Sequence, residues 1–430
     1  MEIEIGRGKK ARRAYGFNEI AIVPSRRTRD PDDVDISWVL GNYRFELPLL
    51  ASAMDGVVSP QTARIVGKLG GLAVLNLEGI FTRYENADEM LGRIARLPKE
   101  QATREMQAIY AEPVKPELIV RRIQEIKQEP GVVVAASLTP QKVRKYYELA
   151  LDAGLDILVI QGTVVSAEHV SSQVDRPPLN LKEFIREVGV PVVVGGCASY
   201  HTGLHLMRTG AAAVLVGVGP GEACTTRGVL GVGVPQATAI ADVAGARSTH
   251  MLETGEYVQV IADGGMRTGG DVSKAIACGA DAVMVGSPLA RAHEAPGRGF
   301  HWGMATFHPT LPRGARVQTT QNGTLEEILV GPARENDGTF NLMGGLRTSM
   351  ATCGYQDIAE FNRAELMIAP ALQTEGKLLQ TSQGVGMGSR GAAASVNGSG
   401  NGSGANGSNG AAAHANGGGR AVEGADPAPA

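Results

Sequence analysis

Cysteine is scarce in this 430-residue chain: four occur, Cys197, Cys224, Cys278 and Cys353, far apart and with no CxxC pair. That excludes a disulfide framework and a structural zinc site of the usual spacing, and fits a reducing compartment. No run of about 18 apolar residues occurs, so no transmembrane helix is expected. The N-terminal MEIEIGRGKKARR is basic, with no apolar stretch behind it to form a secretory leader, and a cytoplasmic protein is expected. A dominant charge of one sign is missing too. Forty-one basic and 44 acidic residues leave a formal charge of −3, which provides no large field to gather nucleic acid or an anionic membrane. An anionic small ligand must therefore be held by local groups.

Glycine, by contrast, is abundant. The last fifty residues, 381–430, contain 14 Gly, 12 Ala, 6 Ser and 5 Asn. Such residues cannot bury enough apolar area to offset ordering entropy, so a disordered tail is expected behind a catalytic unit spanning 1–380. Within that unit eight short β-branched or apolar runs recur, at Pro48–Met54, Gly71–Asn76, Val132–Ser137, Ile157–Gly162, Val190–Gly196, Ala213–Gly219, Val258–Gly265 and Ala282–Ser287. Helix-period stretches separate them, at Ser59–Leu69, Pro140–Ala153, Leu179–Val188, Tyr200–Thr209 and Gly270–Cys278. Strands that are apolar throughout and alternate with helices belong to a parallel sheet covered on both faces. Eight of them predict an α/β fold closed as a (β/α)8 barrel; a doubly wound open sheet is the alternative. Between the second and third runs, about 55 residues read as three charged helices, Asn86–Arg96, Lys99–Ala111 and Pro116–Gln128.

A barrel of this kind places its chemistry at the C-terminal ends of its strands. The sixth run leads into GVGPGEACTTR, a glycine-rich loop that delivers the Cys224 thiol, two threonine hydroxyls and the Arg227 guanidinium together. A thiol in such a loop becomes a nucleophile if its pKa falls, whereas a lone cysteine is otherwise a small buried hydrophobe; loop context alone leaves both readings open. The seventh run ends in Asp263-Gly264-Gly265 and the eighth in Gly286-Ser287. Glycine N–H groups, a hydroxyl and a helix N-terminus after strands seven and eight form a recurrent phosphate site, and Asp263 could accept hydrogen bonds from a sugar's two hydroxyls.

The segment from Gly217 to Gln236, GVGPGEACTTRGVLGVGVPQ, closely resembles the catalytic loop of the IMP dehydrogenase / GMP reductase family. The resemblance extends to ASAMDGV (51–57), IADGGMRTGGDVSKAIACGADAVMVGSPLA (261–290), EAPG (294–297), WGMA (302–305) and MGGLRTSMATCG (343–354). It implies a barrel that binds a purine nucleoside 5′-monophosphate, GMP or IMP, attacks purine C2 with Cys224, and exchanges hydride with NADPH or NAD. Carried over by residue, Thr226 handles a proton, Asp263 holds the ribose, and Gly221, Gly265, Gly286 and Ser287 cradle the phosphate. Ser52 and Met54 line the nucleotide pocket, and Gly303, Met304 and Ala305 present backbone to the base. The carbonyls of Gly219, Gly221 and Cys224 match those that hold a monovalent cation such as potassium in many of the family's dehydrogenases. Family habit implies a homotetramer.

The departures are chemical. Glu222 stands where the family usually has a phosphate-binding serine, Cys197 where it has asparagine, Leu215 where it has a basic residue, and Gln161 where it has an acidic one. The regulatory CBS modules usual after strand two of IMP dehydrogenases are missing, and 305–316, ATFHPTLPRGAR, lacks the family's Arg-Tyr flap pair. This mixture resembles the CBS-less, IMP dehydrogenase-related branch. Without the pair, hydrolysis of a covalent intermediate needs another base, which favours GMP reduction to IMP and ammonia by NADPH. GMP reductases place a glutamate beside the threonine, however, and the nearest match is Gln321, with Glu326 or Glu327 as substitutes. IMP oxidation with NAD and a catalytically silent purine-nucleotide-binding regulator are the alternatives.

Overall fold

The structure, a computed structural model, describes residues 2–167, 178–370 and 375–388. Eight parallel strands form a closed barrel: β1 (Leu49–Ala51), β2 (Leu72–Asn76), β3 (Ala135–Leu138), β4 (Ile157–Gln161), β5 (Val192–Cys197), β6 (Ala213–Val216), β7 (Gln259–Asp263) and β8 (Ala282–Val285). Six lie within the expected runs, and β3 and β5 each extend one residue past theirs, to Leu138 and Cys197. Closure is made by β8 against β1, with Val283 opposite Leu49 and Val285 opposite Ala51, and this pairing eliminates the open sheet. The strands are buried almost throughout, because side chains of one face fill the barrel and those of the other meet the surrounding helices.

The helices follow from local signals. Helix α1 (Pro60–Lys68) starts at Ser59, whose hydroxyl accepts the Thr62 N–H, with proline at its first position. The excursion after β2 is three helices, α2 (Ala87–Arg96), α3 (Lys99–Ala111) and α4 (Pro116–Lys127). Next come α5 (Val143–Asp152), α6 (Leu181–Glu187) and α7 (Tyr200–Met207). After β6 the chain forms the short α8 (Thr226–Leu230) and the long α9 (Gln236–Thr254), and after β7 it forms α10 (Gly269–Ala277). Sequence reasoning set no element at α9. Its Ala, Gly and Thr positions lack a strong apolar stripe, because small residues pack closely against α7 on one side and β7 on the other.

At the N-terminal end of β8, Asp281 is buried. It accepts bonds from Arg247 of α9 at 2.6 Å, Tyr257 at 2.7 Å and the Val260 N–H of β7 at 2.7 Å. Arg247 also donates to Asn362, which ties the C-terminal segment to the barrel floor. The expected boundary at 380/381 falls inside a helix, Leu378–Gln383. Residues 389–430 of the expected tail lie outside the described residues. Among the described residues no helix is long and apolar enough to cross a membrane.

Candidate active site

A cavity of about 1180 Å³ opens at the C-terminal ends of the barrel strands. Among the sequence-predicted residues, Ser52, Met54, Gly219, Gly221, Cys224, Thr226, Asp263, Gly265, Gly286, Ser287, Gly303, Met304 and Ala305 all line it. One loop, one turn and one strap bring them together.

In the loop after β6, the half-buried Cys224 thiol donates to Thr226 Oγ1 at 3.0 Å, and Thr226 is buried. The Cys224 N–H closes a turn onto the Gly221 carbonyl at 3.0 Å. That bond uses one of the carbonyl's two lone pairs and leaves the other for a cation. Arg227 fastens the loop's two ends, donating to the carbonyls of Val218 at 3.3 Å and Val234 at 2.6 Å. A strap passes antiparallel to the loop, with Thr225 N–H donating to Arg313 O at 2.9 Å and Ala315 N–H to Ala223 O at 2.8 Å. Gly314 therefore lies opposite Cys224, and Arg313 reaches the cavity wall. The other three cysteines are buried, and none of them lines the cavity. Cys197 is buried against the Leu215 carbonyl, and burial pushes its thiol up to about 12, as it does that of Cys278.

Asp263 ends β7. Burial pushes its carboxyl up to about 7, against the lowering effect of the bond donated by Gln161 Nε2 at 3.1 Å. The next two residues, Gly264 and Gly265, have φ of +80° and +83°, a conformation other residues rarely adopt, and the chain turns there into α10, whose cap is Thr268. Ser287 Oγ is 2.8 Å from His301 Nε2, and His301 Nδ1 is 3.1 Å from Thr319 Oγ1. Burial lowers the His301 pKa to about 4, so a neutral ring orients the Ser287 hydroxyl. Gly303 caps the short turn Met304–Phe307, whose first backbone N–H groups have no partner within the turn. Glu222 is exposed at the mouth, where its carboxylate can point into water.

Gln321 is not brought in. It does not line the cavity, and its amide donates to the Ala292 carbonyl at 2.8 Å. The substitutes do not reach the site either: Glu326 is exposed, and Glu327 caps Thr324 and pairs with Arg334 at 2.8 Å. Sequence reasoning missed Arg313, His301 and Gln236. Gln236 Nε2 bridges the ends of two strands, donating to Val216 O at 2.6 Å and Asp263 O at 3.2 Å. Its signal was available, since it closes the quoted catalytic-loop motif.

A sequence model of the IMP dehydrogenase / GMP reductase domain matches residues 14–378. The chain belongs to the IMP dehydrogenase / GMP reductase family. A protein of Mycolicibacterium smegmatis named as an uncharacterized oxidoreductase is 47% identical over 375 residues, covering 85% of this chain and 99% of the relative. The inosine-5′-monophosphate dehydrogenase of Methanocaldococcus jannaschii is 26% identical, covering 85% and 95%. The crystal structure of an IMP dehydrogenase/GMP reductase-like protein from Corynebacterium glutamicum superposes with a TM-score of 0.81 at 44% identity, covering 85% of this chain and 97% of that one. The chain is thus an oxidoreductase of a family that binds purine nucleoside monophosphates and uses nicotinamide cofactors; among the described residues α2, α3 and α4, and no CBS module, stand between β2 and β3, consistent with the branch that has none.

Proposed function

We propose that this family member is an NAD-dependent IMP dehydrogenase, converting IMP, NAD and water to XMP and NADH. The observation that carries the direction is the place of Gln321. The sequence pattern alone favours GMP reduction, but that reaction needs an acid beside Thr226 to protonate departing ammonia, and Gln321, Glu326 and Glu327 all lie elsewhere. Relatives named IMP dehydrogenase support the same direction.

In this reading Asp263 accepts hydrogen bonds from the ribose hydroxyls, and the phosphate sits against the backbone of Gly221, Gly265 and Gly286 and the Ser287 hydroxyl. Ser52 and Met54 flank the nucleotide, while Gly303, Met304 and Ala305 present backbone groups to the base. Cys224 adds to purine C2: the C–S bond forms as the S–H is lost and the neighbouring ring nitrogen gains a proton, while Thr226, which accepts from the thiol, orients it. Nicotinamide, when bound, supplies the acceptor for the hydride that leaves C2. The cavity has room for it, since its lining also includes Glu78, Thr139, Gln141 and Thr163, which the nucleotide contacts leave unused. Loss of hydride leaves a thioimidate on Cys224. Water then adds to C2, the C–S bond breaks and the thiol is restored. Arg313, opposite the loop, is the cation placed to orient that water and stabilise charge on its oxygen. The carbonyls of Gly219, Gly221 and Cys224 would hold a monovalent cation such as potassium.

The missing Arg-Tyr pair keeps GMP reduction with NADPH as the second reading. The contact between Cys224 and Thr226 weighs against a silent regulator. We also expect a cytoplasmic homotetramer, which light scattering on the purified chain would check. The direction is tested by offering IMP with NAD, and separately GMP with NADPH, and following nicotinamide absorbance. Turnover with IMP alone supports the proposal; turnover with GMP alone reverses it.

A further inference from the structure

The three-helix excursion grips the strap that carries the base-facing backbone. Arg298 pairs with Asp88 of α2 at 2.6 Å, and Arg316 donates to the carbonyls of Ile94 and Leu97 at the end of α2. Gln107 of α3 donates to His308 O at 2.8 Å. The Tyr110 ring of α3 stacks on Phe307 at a centroid distance of 4.0 Å and 6°. The Tyr110 hydroxyl has two partners: it donates to Asp55 Oδ2 and accepts from Trp302 Nε1 at 2.7 Å.

Asp55 follows Met54 in the wall of the nucleotide pocket. It is 2% exposed, and Oδ2 also accepts the Ile80 N–H at 3.1 Å. Its other oxygen has no partner among the described residues and lies against Gly79. Burying a carboxyl in this way costs free energy unless geometry repays it. A Cβ on Gly79 would lie 2.0 Å from Asp55 Oδ1, so the chain gives up a side chain there to admit the carboxyl.

We propose that Asp55, Tyr110 and Trp302 form a positioning strut through which α3 sets the Gly303–Phe307 turn, so that the excursion tunes affinity for the purine base. The inference rests on the reading that Gly303–Ala305 face the base. The strut runs from the pocket wall at Asp55, through a hydroxyl on α3, to the residue immediately before Gly303. Its rigidity comes from a side chain that both stacks and hydrogen-bonds, which fixes the turn against translation and rotation. None of the three residues touches the reacting atoms.

The test uses the full chain, with IMP as probe. Trp38 and Trp302 are the two tryptophans, so a Trp38→Phe background isolates Trp302 fluorescence as a reporter of the turn. In that background IMP should change the Trp302 signal. Tyr110→Phe keeps the ring stack and removes the hydroxyl, and Gln107→Ala cuts the second tie from α3. Each should raise the dissociation constant for IMP by roughly threefold to tenfold, the worth of one hydrogen bond. KM should rise with it while kcat changes little, and Tyr110→Phe should blunt the Trp302 response. Asp55→Asn, which can still accept from Tyr110, should retain most of the affinity. Wild-type binding of IMP with unchanged affinity and Trp302 response in both variants overturns the strut alone, as does a lowered Tm without an affinity change. Failure of the wild-type chain to bind either IMP or GMP removes the purine reading and the strut with it.

Discussion

At the scale of single residues, the proposed chemistry rests on Cys224 and Asp263. Replacing Cys224 with alanine removes the atom that bonds to C2 and little of the pocket wall. We expect turnover to fall by roughly three orders of magnitude or more, with IMP affinity in equilibrium titration nearly unchanged. Asp263 carries a pH signature. With its carboxyl pushed up to about 7 by burial, above an unfolded value of about 3.9, its contribution to the stability of the ligand-free protein is full below about pH 4. That contribution is lost as pH rises through about 7. Ribose hydroxyls donate to the ionised form, so IMP binding should strengthen as pH rises through the same value and should release protons. Calorimetry in buffers of different ionisation enthalpy measures that release. Asp263→Asn should bind IMP more weakly and leave only the proton change of the phosphate itself.

At the scale of elements, the strands were legible because each is a short, mostly apolar run, and four of them are followed at once by glycine, at Gly162, Gly217, Gly264 and Gly286. That pattern needs no knowledge of partners, and the barrel follows from the count. The loop around Cys224 was legible for another reason, its long match to a known motif. The strap from Gly303 to Gln321 was not. It has no periodicity, so sequence position could not say that Arg313 would reach the cavity while Gln321 turned toward Ala292. Tyr110 was equally hidden, because its partners Asp55 and Trp302 are 55 and 192 residues away. The strap makes its own prediction. Arg313→Ala keeps the backbone pairing with Thr225 but removes the cation beside the loop, so it should slow hydrolysis more than hydride transfer. A purine adduct on Cys224 should then accumulate, visible by intact-protein mass spectrometry after mixing with IMP and NAD. A variant with undiminished steady-state turnover and no adduct would remove Arg313 from the hydrolytic step.

At the scale of the whole molecule, chemistry and stability sit at opposite ends of the barrel. The active-site end is rich in glycine and in groups left open to a ligand. The other end is closed by Asp281, with Arg247, Tyr257 and the Val260 N–H around it. Arg247→Ala leaves a buried carboxylate without its cation, a loss of about 3–5 kcal/mol for a buried pair. It should lower Tm by several degrees while leaving KM for IMP unchanged. The whole-molecule claim is that this chain oxidises IMP, and steady-state absorbance of the nicotinamide at matched enzyme concentration tests it most directly. We expect NADH to appear with IMP and NAD, and NADPH to persist with GMP. Oxidation of NADPH by GMP, with no NADH formed from IMP, would contradict the account.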